Sequence, residues 1–436
     1  MKKTSVTVYG LGYVGLTLSI VLAESGYYVY GIDIDKKKIN YIRKNKSYLY
    51  EKNIDSRIKQ IRKLKKIDFL NYPKKSYTNY HVICVGTPIN KNKKPILSSI
   101  NNVLKSIIQN LQSGQTIILR STVPVGFTRK HIIPKIYKKT KLRAGIDYNI
   151  CFAPERTIEG KALEELKTNP QIIGGYSKDC LKKGISFFEK ISDKIIKVNN
   201  LESAEIAKLI DNTFRDTIFA YSNEISLICD KFSINAFDII KACNSDYIRN
   251  NIPSPSPGVG GACLSKDPYI MLNSAKDKKL SLNMIKSSRI VNEKTIKYIA
   301  KKILFKLKNF SSPNILVCGL TFKGYPENTD VRNSTSIDLI NHLKKNKRLL
   351  KVDVYDPVLS FKEIKDLKYN YYKLGSFKKK FHCIIFANNH KCYVNIGIEK
   401  LIKELKDPKL ICDCWNLYGN TNINTYKQIK YFGVGF

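Results

Sequence analysis

The chain lacks several things, and each absence narrows what it can be. Its 436 residues hold no run of about eighteen apolar residues, so no membrane-spanning helix is expected. Met1 to Val8 lead straight into a strand-like stretch, with neither the apolar core nor the small-residue cleavage site of a secretory signal. A cytoplasmic protein is therefore expected. No C-x-x-C occurs among the eleven cysteines, whose number is odd and whose spacing is irregular. Cys412 and Cys414 form a lone C-x-C, a weak pattern for a metal, so reduced thiols and no metal site are expected. Acidic residues are scarce, 36 against 76 basic ones, for a formal charge of +40. Such a balance raises a nucleic-acid partner. Only twelve of the 76 are arginine, however, and the lysines are spread along the chain. Lysine, asparagine, isoleucine and tyrosine all have A/T-rich codons, so an A/T-rich coding sequence would by itself raise the basic count. No nucleic-acid partner is expected, although a positive field draws in anionic small molecules.

What is present supports packed cores: 43% of the residues are hydrophobic, in a length suited to two or three domains. Val6 to Asp35 read strand, glycine turn, helix, strand. The apolar run to Tyr9 gives way to Gly10-Leu11-Gly12-Tyr13-Val14-Gly15, and Leu16, Ser19, Ile20 and Ala23 then recur at helical spacing. Gly26 ends that helix, Tyr28 to Ile32 return as a strand, and Asp33 closes it. Each part has a mechanical task. Gly10 permits the tight turn, Gly12 admits a pyrophosphate and Gly15 allows close packing of helix on strand. The phosphates then sit at the helix N-terminus. Asp33 is placed to accept hydrogen bonds from a ribose 2′-hydroxyl and to repel a 2′-phosphate, which favours NAD. Further strands, His81 to Gly86 and Thr116 to Ser121, end in "GTP" and "STVPVG". Thr87 and Thr122 are thereby placed beyond strand ends, on the nicotinamide side.

From about Leu201 to Phe232 the pattern is helical, with Lys208 and Asn212 four apart on one face. A lysine and an amide stacked in this way can hold a developing oxyanion, and they can equally form a solvated helix face. Ser312 to Pro357 repeat the strand, turn, helix, strand scheme without the glycine fingerprint, and the turn carries Lys323, Asp330 and Arg332. "FHCIIFANNH" and "KLICDCWN" read as further buried strands. The expected fold is α/β: two Rossmann-like doubly wound domains, 1–200 and 306–436, joined by a long central helical region, 201–305. Before the second domain stands "GVGGACLSKDP", Gly258 to Pro268, which sets Cys263 behind two glycines and before a charged pair. A mobile glycine lead-in and a charged neighbourhood suit a nucleophilic thiol better than a packing one.

With these segments in hand, the chain resembles the UDP-glucose/GDP-mannose dehydrogenase family. The resemblance rests on the glycine fingerprint, STVPVG, APER (Ala153 to Arg156), AKLIDNTFRDTIFAYSNE, GVGGACLSKDP and GLTFKGYPENTDVRNS, in the family's order. It implies a four-electron, NAD-dependent oxidation of a sugar primary alcohol to a carboxylate, with Cys263 as nucleophile. Lys208 and Asn212 would stabilise oxyanions, Asp267 and Thr122 would hold a water or proton relay, and Glu155 would be the base of thioester hydrolysis. Gly260 and Gly261 would let the backbone close over the sugar, and Lys266 is a further candidate for favouring the thiolate. Glu155 and Arg156 of the APER loop, Lys208, Asn212, Gly260 and Lys323 would contact the UDP-sugar. Arg332 would reach NAD, and Arg249 would enter the neighbouring subunit's site in a homodimer or larger assembly. "PERTIEGKALEEL" and "NTFRD" resemble the branch acting on UDP-N-acetylhexosamines. Ala262, Ser265 and Lys266 depart from that branch and keep UDP-glucose as the alternative. Outside the family, a hydroxyacid-type dehydrogenase needs no thiol, and a basic nucleotide- or nucleic-acid-binding protein needs no catalysis.

Overall fold

The structure, a computed structural model, describes residues 4–73, 78–347, 349–419 and 421–436. It divides into two compact units, one of Met1–Asp211 with Tyr269–Ser281 and one of Asn212–Pro268 with Leu282–Phe436.

The first unit is built on an eight-stranded sheet: β1 (Ser5–Tyr9), β2 (Tyr28–Ile32), β3 (Ile67–Leu70), β4 (Tyr80–Ile83), β5 (Thr116–Leu119), β6 (Asn149–Phe152), β7 (Gln171–Gly175) and β8 (Ile195–Val198). Their order is β3-β2-β1-β4-β5-β6-β7-β8, parallel except where β6 meets β7. Both faces of the sheet are covered, so its strands read as apolar runs and not as alternations. β5, "TIIL", is buried at every position. The helix Tyr13–Glu24 is likewise buried on nearly all sides, with Leu16, Leu18, Ile20, Val21 and Leu22 fully inaccessible. Register sets the chemistry. Tyr9 pairs with Ile83, Ile83 with Leu119 and Leu119 with Phe152. The residues that follow, Gly10, Cys84, Arg120 and Ala153, therefore emerge level at one carboxyl edge. The strand order reverses between β1 and β4, which is where such sheets bind ligands.

The second unit holds a six-stranded parallel sheet: β9 (Asn314–Cys318), β10 (Lys351–Tyr355), β11 (Asn370–Tyr371), β12 (Phe381–Phe386), β13 (Leu405–Asp413) and β14 (Lys430–Gly433). Its order is β11-β10-β9-β12-β13-β14, so its reversal lies between β9 and β12. Cys318 pairs with Tyr355 and with Phe386, which levels Gly319, Asp356 and Ala387 at the carboxyl edge. Ser334 caps the helix Thr335–Asn346 by accepting from the Ser336 N–H. The helices Ala236–Asn244 and Asn283–Lys306 belong to this unit, as does most of the long central helix, Leu201–Lys231. The α/β fold with two sheets and a helical central region is the one expected. No helix among the described residues is long and apolar enough to cross a membrane.

Candidate active site

The glycine turn of the first unit is shaped by two constraints. Gly10 has φ of 89° and donates its N–H to the Ile32 carbonyl at 2.7 Å. A Cβ on Gly15 would lie 1.7 Å from the Gly10 carbonyl oxygen, so the turn and the helix touch there. Gly12 faces open space and is the N-cap of the helix, with no side chain capping it. An open, uncapped helix N-terminus behind the Leu11-Gly12-Tyr13-Val14 backbone fits a pyrophosphate. Asp33 Oδ2 accepts the Leu11 N–H and Oδ1 the Asp35 N–H, each at 2.9 Å. A second lone pair on each oxygen remains for ribose hydroxyls. Lys38 Nζ stands 3.7 Å from Oδ2. The residues present thus fit a dinucleotide. Thr87, beyond β4, is buried, and Thr122, beyond β5, is half-buried.

Level with them lies a buried ion pair. Arg120, the residue after β5, places Nη2 against Glu155 Oε2, and neither side chain is appreciably exposed. Glu155 Oε1 accepts the Arg156 and Thr157 N–H groups at 2.7 and 2.8 Å. Burial alone would push the Glu155 carboxyl up. The Arg120 guanidinium, the Thr157 N–H and the Lys208 ammonium outweigh it and hold it below the ordinary value. Arg156 is engaged within the same unit, with Nη2 donating to the Pro170 carbonyl at 2.7 Å and Nη1 3.3 Å from Asp211.

In the second unit the loop before Asp267 presents Cys263. All eleven cysteines are described, none is in a disulfide, and only Cys243 and Cys263 are exposed. The Cys263 carbonyl accepts the Lys266 and Asp267 N–H groups at 3.1 and 2.9 Å. Asp267 is fully buried and bridged: Lys266 Nζ lies 2.5 Å from Oδ1, and the Asn212 amide donates to Oδ2 at 2.5 Å. The Lys266 ammonium is thus committed to a carboxylate. The two glycines are closely packed. A Cβ on Gly260 would lie 2.4 Å from the Asn333 carbonyl, and one on Gly261 would lie 2.7 Å from the Phe322 ring. Gly261 also donates its N–H to the Asn333 carbonyl at 3.0 Å. Close packing requires glycine at both positions, and at Gly261 a φ of 86° requires it as well.

The sequence matches the UDP-glucose/GDP-mannose dehydrogenase family over three segments: its NAD binding domain at 4–192, its central domain at 202–294 and its UDP binding domain at 316–420. The chain belongs to this family. It is 32% identical to a UDP-N-acetyl-D-mannosamine dehydrogenase of Methanococcus vannielii, over 100% of this chain and 98% of that one. It is 30% identical to an NDP-N-acetyl-D-galactosaminuronic acid dehydrogenase of Ralstonia nicotianae, over 77% of this chain and 79% of that one. Its fold superposes on the UDP-N-acetylmannosamine dehydrogenase structure from Pyrococcus horikoshii with a TM-score of 0.89, covering 99% of both chains at 29% identity. The protein is an NAD-dependent nucleotide-sugar dehydrogenase.

In the UDP binding domain the loop after β9 is held by residues from other strand ends. Asp356 Oδ2 accepts the Leu320 and Thr321 N–H groups at 2.7 and 3.0 Å, and Asn389 Oδ1 accepts the Gly324 N–H at 2.8 Å. The half-buried Lys323 has its carbonyl fixed by Thr321 Oγ1 and Asn328 Nδ2, at 3.1 and 3.0 Å. Arg332 folds onto Asp330, with Nε 2.9 Å from both oxygens. Arg249 is exposed, on the loop after the helix Ala236–Asn244.

Sequence reasoning singled out Glu155 and Cys263 but missed the arginines beside their loops, Arg120 and Arg289. Both carried a signal. Arg120 closes the apolar run "TIIL", and Arg289 shares a helical face with Asn292, Ile296, Ile299 and Ile303, all of them buried. A charge in such a place needs a partner.

Proposed function

We propose that the chain oxidises the C6 primary alcohol of a UDP-N-acetylhexosamine, UDP-N-acetylmannosamine first among them, to the uronic acid through a thioester on Cys263. The observation that carries this reading is the presentation of Cys263 in a chain whose relatives of 30–32% identity over nearly its whole length include UDP-N-acetyl-D-mannosamine dehydrogenases. NAD, when bound, supplies the hydride acceptor, and two are consumed per sugar. The alcohol loses a proton and a hydride to become an aldehyde, while Lys208 and Asn212 stabilise the oxygen as charge develops on it. The Cys263 thiolate then adds to the aldehyde carbon, forming the C–S bond of a thiohemiacetal. That carbon again carries a transferable hydride, and its loss leaves a thioester. Water attacks the thioester carbon, the C–S bond breaks, and the thiol and the carboxylate are released.

Asp267 anchors the Asn212 amide and, with Thr122, forms the relay for the alcohol proton. Glu155 receives the proton of the hydrolytic water. The Arg120 pair keeps it ionised but lowers its basicity, so it contributes as much by orienting water as by proton uptake. Lys323 and Arg156 belong to recognition of the nucleotide-sugar, Gly260 to the backbone against the sugar, and Arg332 to NAD. We further propose a homodimer or larger assembly in which Arg249 enters the partner's site. Supporting this, the central helix exposes Ile210, Phe214, Tyr221 and Ile228 along one face. The test is a comparison of kcat/KM for UDP-N-acetylmannosamine, UDP-N-acetylglucosamine, UDP-N-acetylgalactosamine and UDP-glucose. A preference of tenfold or more for the first is expected. A preference for UDP-glucose would overturn the substrate assignment.

A further inference from the structure

The cysteine loop is gripped from below by a buried arginine. Arg289, on the helix Asn283–Lys306, is only 2% exposed. Its Nη1 donates to the Leu264 carbonyl at 3.2 Å and its Nη2 to the Val259 carbonyl at 3.4 Å. These two carbonyls lie on either side of Cys263. The guanidinium is balanced by Asp216, whose Oδ1 lies 2.6 Å from Nη1 and which is 1% exposed. Asp216 is fixed in turn by the Asn292 amide, which donates to its Oδ1 at 2.8 Å and to its backbone carbonyl at 2.9 Å. The chain of bonds continues. Asn223 Nδ2 donates to Asn292 Oδ1 at 2.9 Å, and Asn223 Oδ1 accepts the Ser256 N–H at 2.8 Å, at the start of the same loop.

Such an arrangement is costly unless it is complete. A buried charge without its partner is strongly unfavourable, and the pair adds little stability over apolar packing of the same volume. Its distinctive yield is geometric. A planar guanidinium offers several N–H groups in a fixed fork, so one side chain can hold two carbonyls and a carboxylate at once. Two further loop carbonyls are held as well: Ser265 Oγ donates to the Gly261 carbonyl at 2.6 Å, and the Lys266 and Asp267 N–H groups close on that of Cys263. The Cys263 side chain stands exposed on this fixed backbone.

We infer that Arg289, charge-balanced by Asp216, is a positioning residue for the nucleophilic thiol: by fixing the Val259 and Leu264 carbonyls it sets where Cys263 Sγ is presented to the aldehyde. The inference rests on the reading of Cys263 as the nucleophile. A thiol held in place captures the aldehyde before it leaves, and a thiol on a slack loop does not. Loss of the clamp therefore uncouples the two oxidations.

The test is the NADH yield per sugar consumed, with semicarbazide present to trap escaping aldehyde, in Arg289→Lys. Lysine keeps the charge pair with Asp216 but cannot hold both carbonyls. The expected result is a yield falling from two towards one, a kcat for the full reaction at least tenfold lower, and KM for NAD within twofold of the parent. Destabilisation alone would lower the amount of active enzyme and leave the yield at two. If Arg289→Lys does not fold, the double variant Asp216→Asn with Arg289→Met removes both charges and gives the same readout. A yield of two at the parental rate in either folded variant overturns the inference. Cys263→Ser is run alongside. A yield of two from that variant would instead overturn the nucleophile reading itself.

Discussion

Replacing Arg120 with methionine removes one partner of a buried ion pair and leaves the other in place. The Arg120 side chain is fully buried and that of Glu155 is 7% exposed, so solvent cannot substitute for the guanidinium. Breaking such a pair typically costs about 3–5 kcal/mol. Glu155 retains the Arg156 and Thr157 N–H groups and the field of Lys208, which places the expected loss near the lower end, about 3 kcal/mol at pH 7. The assay is urea unfolding of the parent, Arg120→Met, Glu155→Gln and the double variant. The double variant removes both charges and should recover to within about 1 kcal/mol of the parent. The pH dependence follows from linkage. Glu155 has its folded pKa below its unfolded one, so the pair's contribution is present above the unfolded value and lost as pH falls through the folded one. Without Arg120, burial is less opposed and the folded pKa rises, so the variant relieves itself by taking up a proton. The stability gap between variant and parent should therefore narrow as pH falls from 8 to 5. The neighbouring Cys84 thiol, pushed up to about 12 chiefly by burial, does not titrate in that window. A cost below about 1 kcal/mol, or a gap that does not change with pH, would mean that Arg120 does not neutralise a buried, ionised Glu155.

Gly15→Ala drives a methyl into the Gly10 carbonyl and should destabilise the NAD binding domain by at least about 1–3 kcal/mol, measured as a lower unfolding midpoint and weaker NAD binding. Asp33→Ala leaves the Leu11 N–H without its acceptor and removes the ribose contact. KM for NAD should rise by about tenfold or more, while KM for the sugar nucleotide holds. Paired Phe214→Asp and Ile228→Asp on the exposed face of the central helix should reduce the sedimenting species to a monomer; an unchanged mass would move the assembly surface elsewhere. If Arg249 enters the partner's site, Arg249→Ala mixed with Cys263→Ser should regain about a quarter of parental activity from randomly reassorted dimers, and no recovery would place Arg249 outside the neighbouring site.

Local rules carried far where the chemistry is local. The strand Tyr28–Ile32 and the start of the central helix at Leu201 were legible from apolar periodicity, and Ser334 from its place before a helical run. The glycine turn was legible because its reasons, a positive φ at Gly10 and close contact at Gly15, act within six residues. The close packing of Gly260 and Gly261 was not legible, because it comes from Asn333 and Phe322, some sixty to seventy residues later. The Lys266 side chain could not be placed, since its choice of Asp267 depends on how the loop turns back on itself. Arg289 reaches Asp216 across 73 residues, and Arg120 reaches Glu155 across 35. Periodicity marks such positions as buried but does not name the carboxylate that neutralises them. The antiparallel meeting of β6 and β7 also had no local signature, because pairing direction is set by the route of the chain between strands.

Whether the oxidation removes four electrons and depends on the thiol is decided by counting NADH formed from limiting UDP-N-acetylmannosamine with excess NAD. Two NADH per sugar from the parent, and one from Cys263→Ser with aldehyde recovered as its semicarbazone, is the predicted result. One NADH per sugar from the parent would mean that the reaction stops at the aldehyde, and two from the serine variant would mean that the thiol takes no part; either would rule out a thioester on Cys263.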